Sequence, residues 1–223
     1  MPIPENYTKQ ERFSAKTIVL NQLQDWIIKG VLKPDEKIND NDLADALGVS
    51  RTPVREALQV LELSGLVEMV RGQKTKISPV KLEDVPVIYE TIAGMHVIVG
   101  KQAINNIKQK DIKRLKRINE NFKHAITMKD SEKAMSLDFE FHNMIISLAN
   151  NKYIEPLLDN LHLHALRLEY LFFQNFVPAE HSINEHIDII TALESGDPML
   201  LEHAMSINWL RPMRDIQRIL SVM

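Results

Sequence analysis

The chain of 223 residues contains no cysteine, only 7 glycines, and 6% aromatic residues. Without cysteine there is no disulfide framework, no thiolate metal site and no cysteine nucleophile, so a bound metal must be held by His, Asp, Glu or Asn. No apolar run approaches the roughly 20 residues that a bilayer span needs. The opening stretch MPIPENYTKQERFSAK is polar, so a cytoplasmic protein with no membrane partner is expected. Nor is there an excess of one charge. Residues 1–79 hold 11 basic and 11 acidic residues, and residues 80–223 hold 16 and 19, which leaves a net −3. Bulk charge therefore decides nothing about nucleic acid, and a DNA contact would need a local basic surface.

Scarce glycine and helical periodicity over most of the chain make a mainly α protein the expected class. One segment departs from it. LVEMVRGQKTKIS, from Leu66 to Ser78, places apolar and β-branched residues on both sides of a Gly-containing turn, which suits a small hairpin of about four residues per strand. Three helices are expected before it: Phe13 to Lys29 ending at Gly30, Asp40 to Leu47 ending at Gly48, and Arg51 to Ser64 with Ser50 as N-cap and Gly65 beyond. Helix, short helix, tight turn, helix and hairpin is the order of a winged helix-turn-helix. After a boundary at residue 79, residues 80–223 read as an all-α bundle of about six helices, with Pro212 expected to kink or interrupt the last.

On a wheel of about 100° per residue, Val54, Ala57, Leu58 and Leu61 of the third helix form an apolar stripe, and Arg51, Thr52, Arg55 and Gln59 share the opposite sector. Arginine suits base reading because its planar fork takes guanine O6 and N7 together, and Thr52 at the helix N-terminus suits phosphate. The hairpin adds Arg71, Lys74 and Lys76 beside Gly72, so that cations and a backbone turn approach a duplex together. In the second region, Asp138 and His142 stand four apart on one helix face. His186 lies in line with Ile183, Ile190 and Leu193, and Asn208 follows Leu201 and Ala204 at helical spacing. Three helices thus direct possible ligands for one ion toward a shared interior. The same spacing also describes hydrogen-bonded core residues.

The stretch DLADALGVSRTPVREALQVLELSGLVE, Asp42 to Glu68, closely resembles the DNA-binding domain of the GntR family of bacterial transcription regulators, with VRGQKTKI similar to its wing. The resemblance implies that Arg51, Thr52 and Arg55 contact DNA, with Arg71 and Gly72 at the wing tip. Asn41 stands where relatives often carry a basic residue. DFEFHNMIISLANN, EHIDIITALESGD and the final helix resemble the ligand-sensing domain of the FadR branch, many members of which bind a divalent metal through an Asp and three His, with small organic acids nearby. Asp138, His142 and His186 match three of those positions, and Asn208 stands at the fourth. Ile92 and His96 stand where relatives usually show an Arg and a Glu.

The resemblance implies a metabolite-responsive regulator, most simply a repressor, acting as a homodimer on a pseudo-palindromic double-stranded operator. Its effector would be a small molecule such as an organic acid, and it would hold one divalent ion, Zn, Ni or Mn. Two other readings stay open from the residues alone. One is a metal-dependent hydrolase tethered to DNA, although no HExxH or GxSxG is present. The other is a DNA-binding protein with a filled helical core and no ligand.

Overall fold

A computed structural model of the chain describes residues 14–69, 74–173 and 180–220. The chain divides into two compact units, Met1–Pro79 and Val80–Met223.

The first unit comprises α1 (Ala15–Ile28), β1 (Lys37–Ile38), α2 (Asp40–Leu47), α3 (Arg51–Leu63), β2 (Val67–Glu68) and β3 (Thr75–Ile77). The apolar stripes of its helices meet in one core, with Val19, Leu23 and Ile27 of α1 against Val54, Ala57, Leu58 and Leu61 of α3. The expected hairpin is part of a three-stranded antiparallel sheet in the order β1-β3-β2, and its strands are two and three residues long rather than four. The sequence reading missed β1, because two residues after Pro34 carry no alternation to detect. Ile38 nevertheless buries its side chain and pairs with Thr75, as Lys37 does with Lys76. Gly48 ends α2 at a left-handed φ of 65°, which lets the chain reverse into α3 without the cost a Cβ would impose. Ser50 takes the N-cap position of α3, but its side chain makes no capping hydrogen bond.

The second unit is all helical among the described residues: α4 (Asp84–Ile104), α5 (Gln109–Thr127), α6 (Ser131–Ala149), α7 (Glu155–Phe173), α8 (Glu180–Ser195) and α9 (Pro198–Leu220). α9 runs through Pro212 without interruption, against expectation. α7 begins at Glu155, after a turn organised by the Asn151 side chain, which accepts hydrogen bonds from the backbone N–H of Tyr153 and Ile154. Two apolar clusters fill the unit. One is built from α4, α5, α6, α8 and α9 around Leu115, Phe141, Ile189 and Leu201. The other is built from α4, α6, α7 and α9 around Tyr89, Ile92, Leu158 and Ile216. α4, α6 and α9 contribute to both. The buried polar residues His96, Asn119, His142, His162, His186 and Asn208 come from all six helices.

Candidate functional site

In the first unit, the packing of Val54, Ala57, Leu58 and Leu61 turns Arg51, Thr52, Arg55 and Gln59 outward, and all four are exposed. Since Ser50 leaves the first turn of α3 uncapped, its backbone N–H groups and the positive end of the helix dipole remain available to an anion. The guanidiniums are held in place by Asp40 at the start of α2. Arg51 Nη2 donates to Asp40 Oδ2 at 3.0 Å, and Arg55 Nε lies 3.6 Å from the same oxygen. The hydrogen bond from Arg51 outweighs partial burial and holds the Asp40 carboxyl below the usual carboxylate range. Lys74 is exposed. Lys76 is not free for a partner, because it is ion-paired with Asp35 at 3.0 Å and Glu68 at 3.4 Å. Arg71 and Gly72 lie outside the described residues.

In the second unit, Asp138, His142 and His186 come together with their potential ligand atoms all within 4.8 Å of one another. α6 presents the first two at adjacent turns of one face, and α8 brings the third. Asp138 Oδ1 is 3.3 Å from His186 Nε2, and Oδ2 is 3.9 Å from His142 Nε2. His142 and His186 are buried, whereas the Asp138 side chain keeps 37% of its surface.

The protonation of His186 follows from its other neighbour. Asn119 of α5 donates from Nδ2 to the Ile183 carbonyl at 3.0 Å, which leaves Asn119 Oδ1 as an acceptor 3.0 Å from His186 Nδ1. A carbonyl only accepts, so the Asn119 amide has one orientation and His186 Nδ1 carries a proton. His186 Nε2 faces a carboxylate oxygen and has no hydrogen-bond partner among the described residues. A nitrogen lone pair and a carboxylate oxygen at this distance are satisfied by a proton on Nε2 or by a metal cation between them. One carboxylate oxygen and two imidazole nitrogens fit a first-row divalent ion. Burial lowers the His142 imidazole to about 3, only partly opposed by Asp138. It is therefore neutral and able to ligate near pH 7. Burial would raise the Asp138 carboxyl, but its contact with His186 and the nearby His142 and His162 imidazoles prevail and hold it below the usual carboxylate range.

The fourth expected position is more constrained. Asn208 is buried, and its Nδ2 donates to Glu185 Oε2 at 3.2 Å, leaving only Oδ1 as a possible ligand. Glu185 is itself buried and held by Arg211 through Nε at 2.5 Å and Nη2 at 3.0 Å. It is thus committed to a structural pair and is no general base.

His96, which stands where relatives usually show a Glu, has beside it a second histidine that spacing alone could not join to it, His162 of α7. Both are buried here, with Nε2 atoms 3.0 Å apart. Trp209 of α9 covers them, stacked on His162 at 5.1 Å and 4.7 Å from His96. Two turns away, Tyr89 donates to the half-buried Glu169 at 3.1 Å. Burial, together with the charge of Asp138, pushes that carboxyl up to about 7. The 4-3-4 spacing of Leu158, His162, Ala165 and Glu169 was a signal that these α7 side chains share the inward face.

An amphipathic helix with exposed arginines at an open N-terminus, and an all-helical unit with a buried polar centre, define a two-domain DNA-binding regulator. Comparison with known proteins agrees. Residues 16–77 match the bacterial regulatory proteins of the gntR family, and residues 87–208 match the FCD domain. The chain belongs to the GntR family, in the FCD-containing, FadR-like group, and it is a transcription regulator rather than an enzyme. It is 28% identical over 169 residues to the uncharacterized HTH-type transcriptional regulator YdhC of Bacillus subtilis (strain 168), covering 74% of this chain and 75% of that one. It is 26% identical over 184 residues to the HTH-type transcriptional repressor RspR of Escherichia coli (strain K12), covering 81% and 79%. Among solved structures, E. coli McbR/YncC superposes with a TM-score of 0.80 at 21% identity, covering 93% of this chain and 99% of that one, which establishes a shared fold.

Proposed function

We propose that the chain is a cytoplasmic repressor that binds a pseudo-palindromic operator as a homodimer and is released by a small organic-acid effector. A divalent ion held by Asp138, His142 and His186 would help recognise that effector. The observation that carries the effector-domain reading is His186 Nε2 facing Asp138 Oδ1 at 3.3 Å, with the proton on Nδ1 held by Asn119. Asn208 Oδ1 or water supplies the remaining oxygen ligands, a donor set that suits six-coordinate Mn2+ or Ni2+ better than tetrahedral Zn2+. Dimerisation doubles the contacts one winged helix offers and fixes the half-site spacing. Arg51, Thr52 and Arg55 read the major groove, and Lys74, with Arg71 and Gly72, engages the backbone. That relatives are named repressors supports the sign of regulation.

For an effector to act, it must bind the DNA-competent and DNA-incompetent states with different affinities. The test follows binding of the full-length protein to its own promoter region by fluorescence anisotropy, after chelator treatment and after reloading with Mn2+, Ni2+ or Zn2+, each with and without a panel of chelating organic acids. The reading predicts one tightly held ion, lost in His142→Ala, and DNA binding weakened only when ion and acid are both present. A folded protein that takes up no ion, with every acid equally inert at each metal condition, would refute it.

A further inference from the structure

The helices α6 and α7 meet where they connect, with Ile146 and Leu158 in one apolar cluster. From there they diverge, α6 packing along α4 and α5, and α7 along α4 and α9. One carboxylate from each faces the interval between them. Asp138 of α6 keeps 37% of its side-chain surface, although the imidazoles beside it keep 4% and 0%. Glu169 of α7, two turns beyond His162 on the same face, is half-buried and accepts a hydrogen bond from the buried Tyr89 hydroxyl at 3.1 Å. The two acids feel one another's charge, since Asp138 adds to the burial that pushes the Glu169 carboxyl up to about 7. Glu169 has no ion-pair partner among the described residues. Arg211, the cation that acts on it, is committed to Glu185, Asp215 and Ser182.

An ionised carboxylate without a cation is costly inside a protein, and a chain that keeps one loses stability until something arrives to pair with it. The divalent ion assigned to Asp138, His142 and His186 is not that partner. Formal charge decides what the remaining occupant must bring. The two positive charges of a divalent ion balance the single negative charges of Asp138 and Glu169, and the Glu185–Arg211 pair balances itself. An acid with one carboxylate then leaves the centre one charge negative, a dicarboxylate leaves it two, and a zwitterion leaves it neutral. One turn from Tyr89 on α4, where relatives usually show an Arg, stands the buried Ile92, which offers no cation to a second carboxylate. We propose that the effector is an organic acid bearing a protonated amine, with its carboxylate on the ion at Asp138, His142 and His186 and its ammonium on Glu169 and the Tyr89 hydroxyl oxygen. This rests on the organic-acid reading above and names the group at the other end of the acid. Tyr89 donates its proton to Glu169 and so keeps a lone pair for the ammonium.

The test is calorimetric titration of full-length, Mn2+-reloaded protein with four series of matched chain length: the ω-amino acids from glycine to 6-aminohexanoate, and the corresponding monocarboxylates, dicarboxylates and alkylamines. The expected result is a length at which the amino acid binds about 10–100-fold more tightly than its monocarboxylate, the worth of a hydrogen bond to a charged group, with the dicarboxylate weakest. In Glu169→Gln, which keeps the size of the side chain and its bond from Tyr89, that advantage is lost. Should this variant not fold, Tyr89→Phe takes its place, and the advantage falls severalfold. Monocarboxylates or dicarboxylates that bind as tightly as the amino acids at every length overturn the proposal and leave the organic-acid reading standing. An advantage retained in full by the substituted protein overturns it as well. Alkylamines that bind as tightly as the amino acids, both lost in Glu169→Gln and the other acids silent, keep the ammonium site and refute the metal-bound carboxylate. If all four series are silent, the organic-acid reading and this proposal fall together.

Discussion

Replacing Asn119 by leucine removes the group that fixes the His186 tautomer while keeping a side chain of similar size in the α5 stripe. Two hydrogen bonds are lost, from His186 Nδ1 to Asn119 Oδ1 and from Asn119 Nδ2 to the Ile183 carbonyl, both 3.0 Å. The first leaves the buried His186 Nδ1 unpaired, which costs about 1–3 kcal/mol, or roughly 2–4 °C of Tm per kcal/mol for a chain of this size, and the second removes an amide donor from a helix carbonyl. The metal consequence is separate. With Nδ1 no longer held as the donor, the proton can reside on Nε2, and losing a partner behind a ligating imidazole lowers metal affinity about 10–100-fold. Asn119→Asp divides the two effects: its carboxylate still accepts from Nδ1–H, but it offers no donor to Ile183. It should therefore melt lower than the wild type yet bind metal with nearly unchanged affinity, whereas Asn119→Leu loses both. Competition with a coloured chelator on the full-length protein gives the affinity, and circular dichroism gives Tm. If Asn119→Leu binds the ion as tightly as the wild type, Asn119 does not control the His186 nitrogen that faces Asp138, and the ligand argument fails.

Four further predictions concern DNA and pH. Arg51→Ala should lose about 1–3 kcal/mol of discrimination between operator and scrambled DNA, while Lys74→Ala should weaken both equally and reduce the salt slope by about 1; the reverse pattern in anisotropy titrations would reassign the two residues. Asp40→Asn releases Arg51 and Arg55 from the carboxylate that holds them at 3.0 and 3.6 Å, so binding to unrelated DNA should tighten more than binding to the operator. An unchanged ratio would deny Asp40 any part in specificity. Metal-free protein should lose stability as pH falls from about 6.5 to 5: His142 and His162 titrate near 3 and 4 when folded against 6.5 unfolded, so the unfolded chain binds more protons in that window. At about 1.4 kcal/mol per pH unit the two contribute a loss of roughly 4 kcal/mol by pH 5. Glu169 acts oppositely, since its folded value near 7 lies above its unfolded 4.5. Glu169→Gln should therefore raise stability at pH 8 and steepen the acid loss, which chemical denaturation at each pH would show.

The α3 face was legible because one helix carries both halves of the pattern. The stripe Val54, Ala57, Leu58 and Leu61 is buried, so the remaining sector had to face outward. Asp138, His142 and His186 were legible for the same reason, each lying on or beside an apolar stripe of its own helix. Strand β1 was not legible, since its place in the sheet rests on pairing with residues nearly forty positions later, and two residues carry no period. The role of Lys76 was hidden likewise: charge suggested a DNA contact, but cross-strand Glu68 and the turn residue Asp35 claim it first.

The same limit explains the histidines. Spacing places a residue on a face of its own helix, but it does not give the register of that helix against the next. His96 and His162 meet Nε2 to Nε2 only because α4 and α7 run antiparallel with Tyr89 opposite Glu169. Asn119 becomes the partner of His186 only because α5 lies against α8. The same register limits position 208: its spacing on α9 points it inward, but with its amide nitrogen committed to Glu185 of α8, Asn208 can offer the polar centre one oxygen at most.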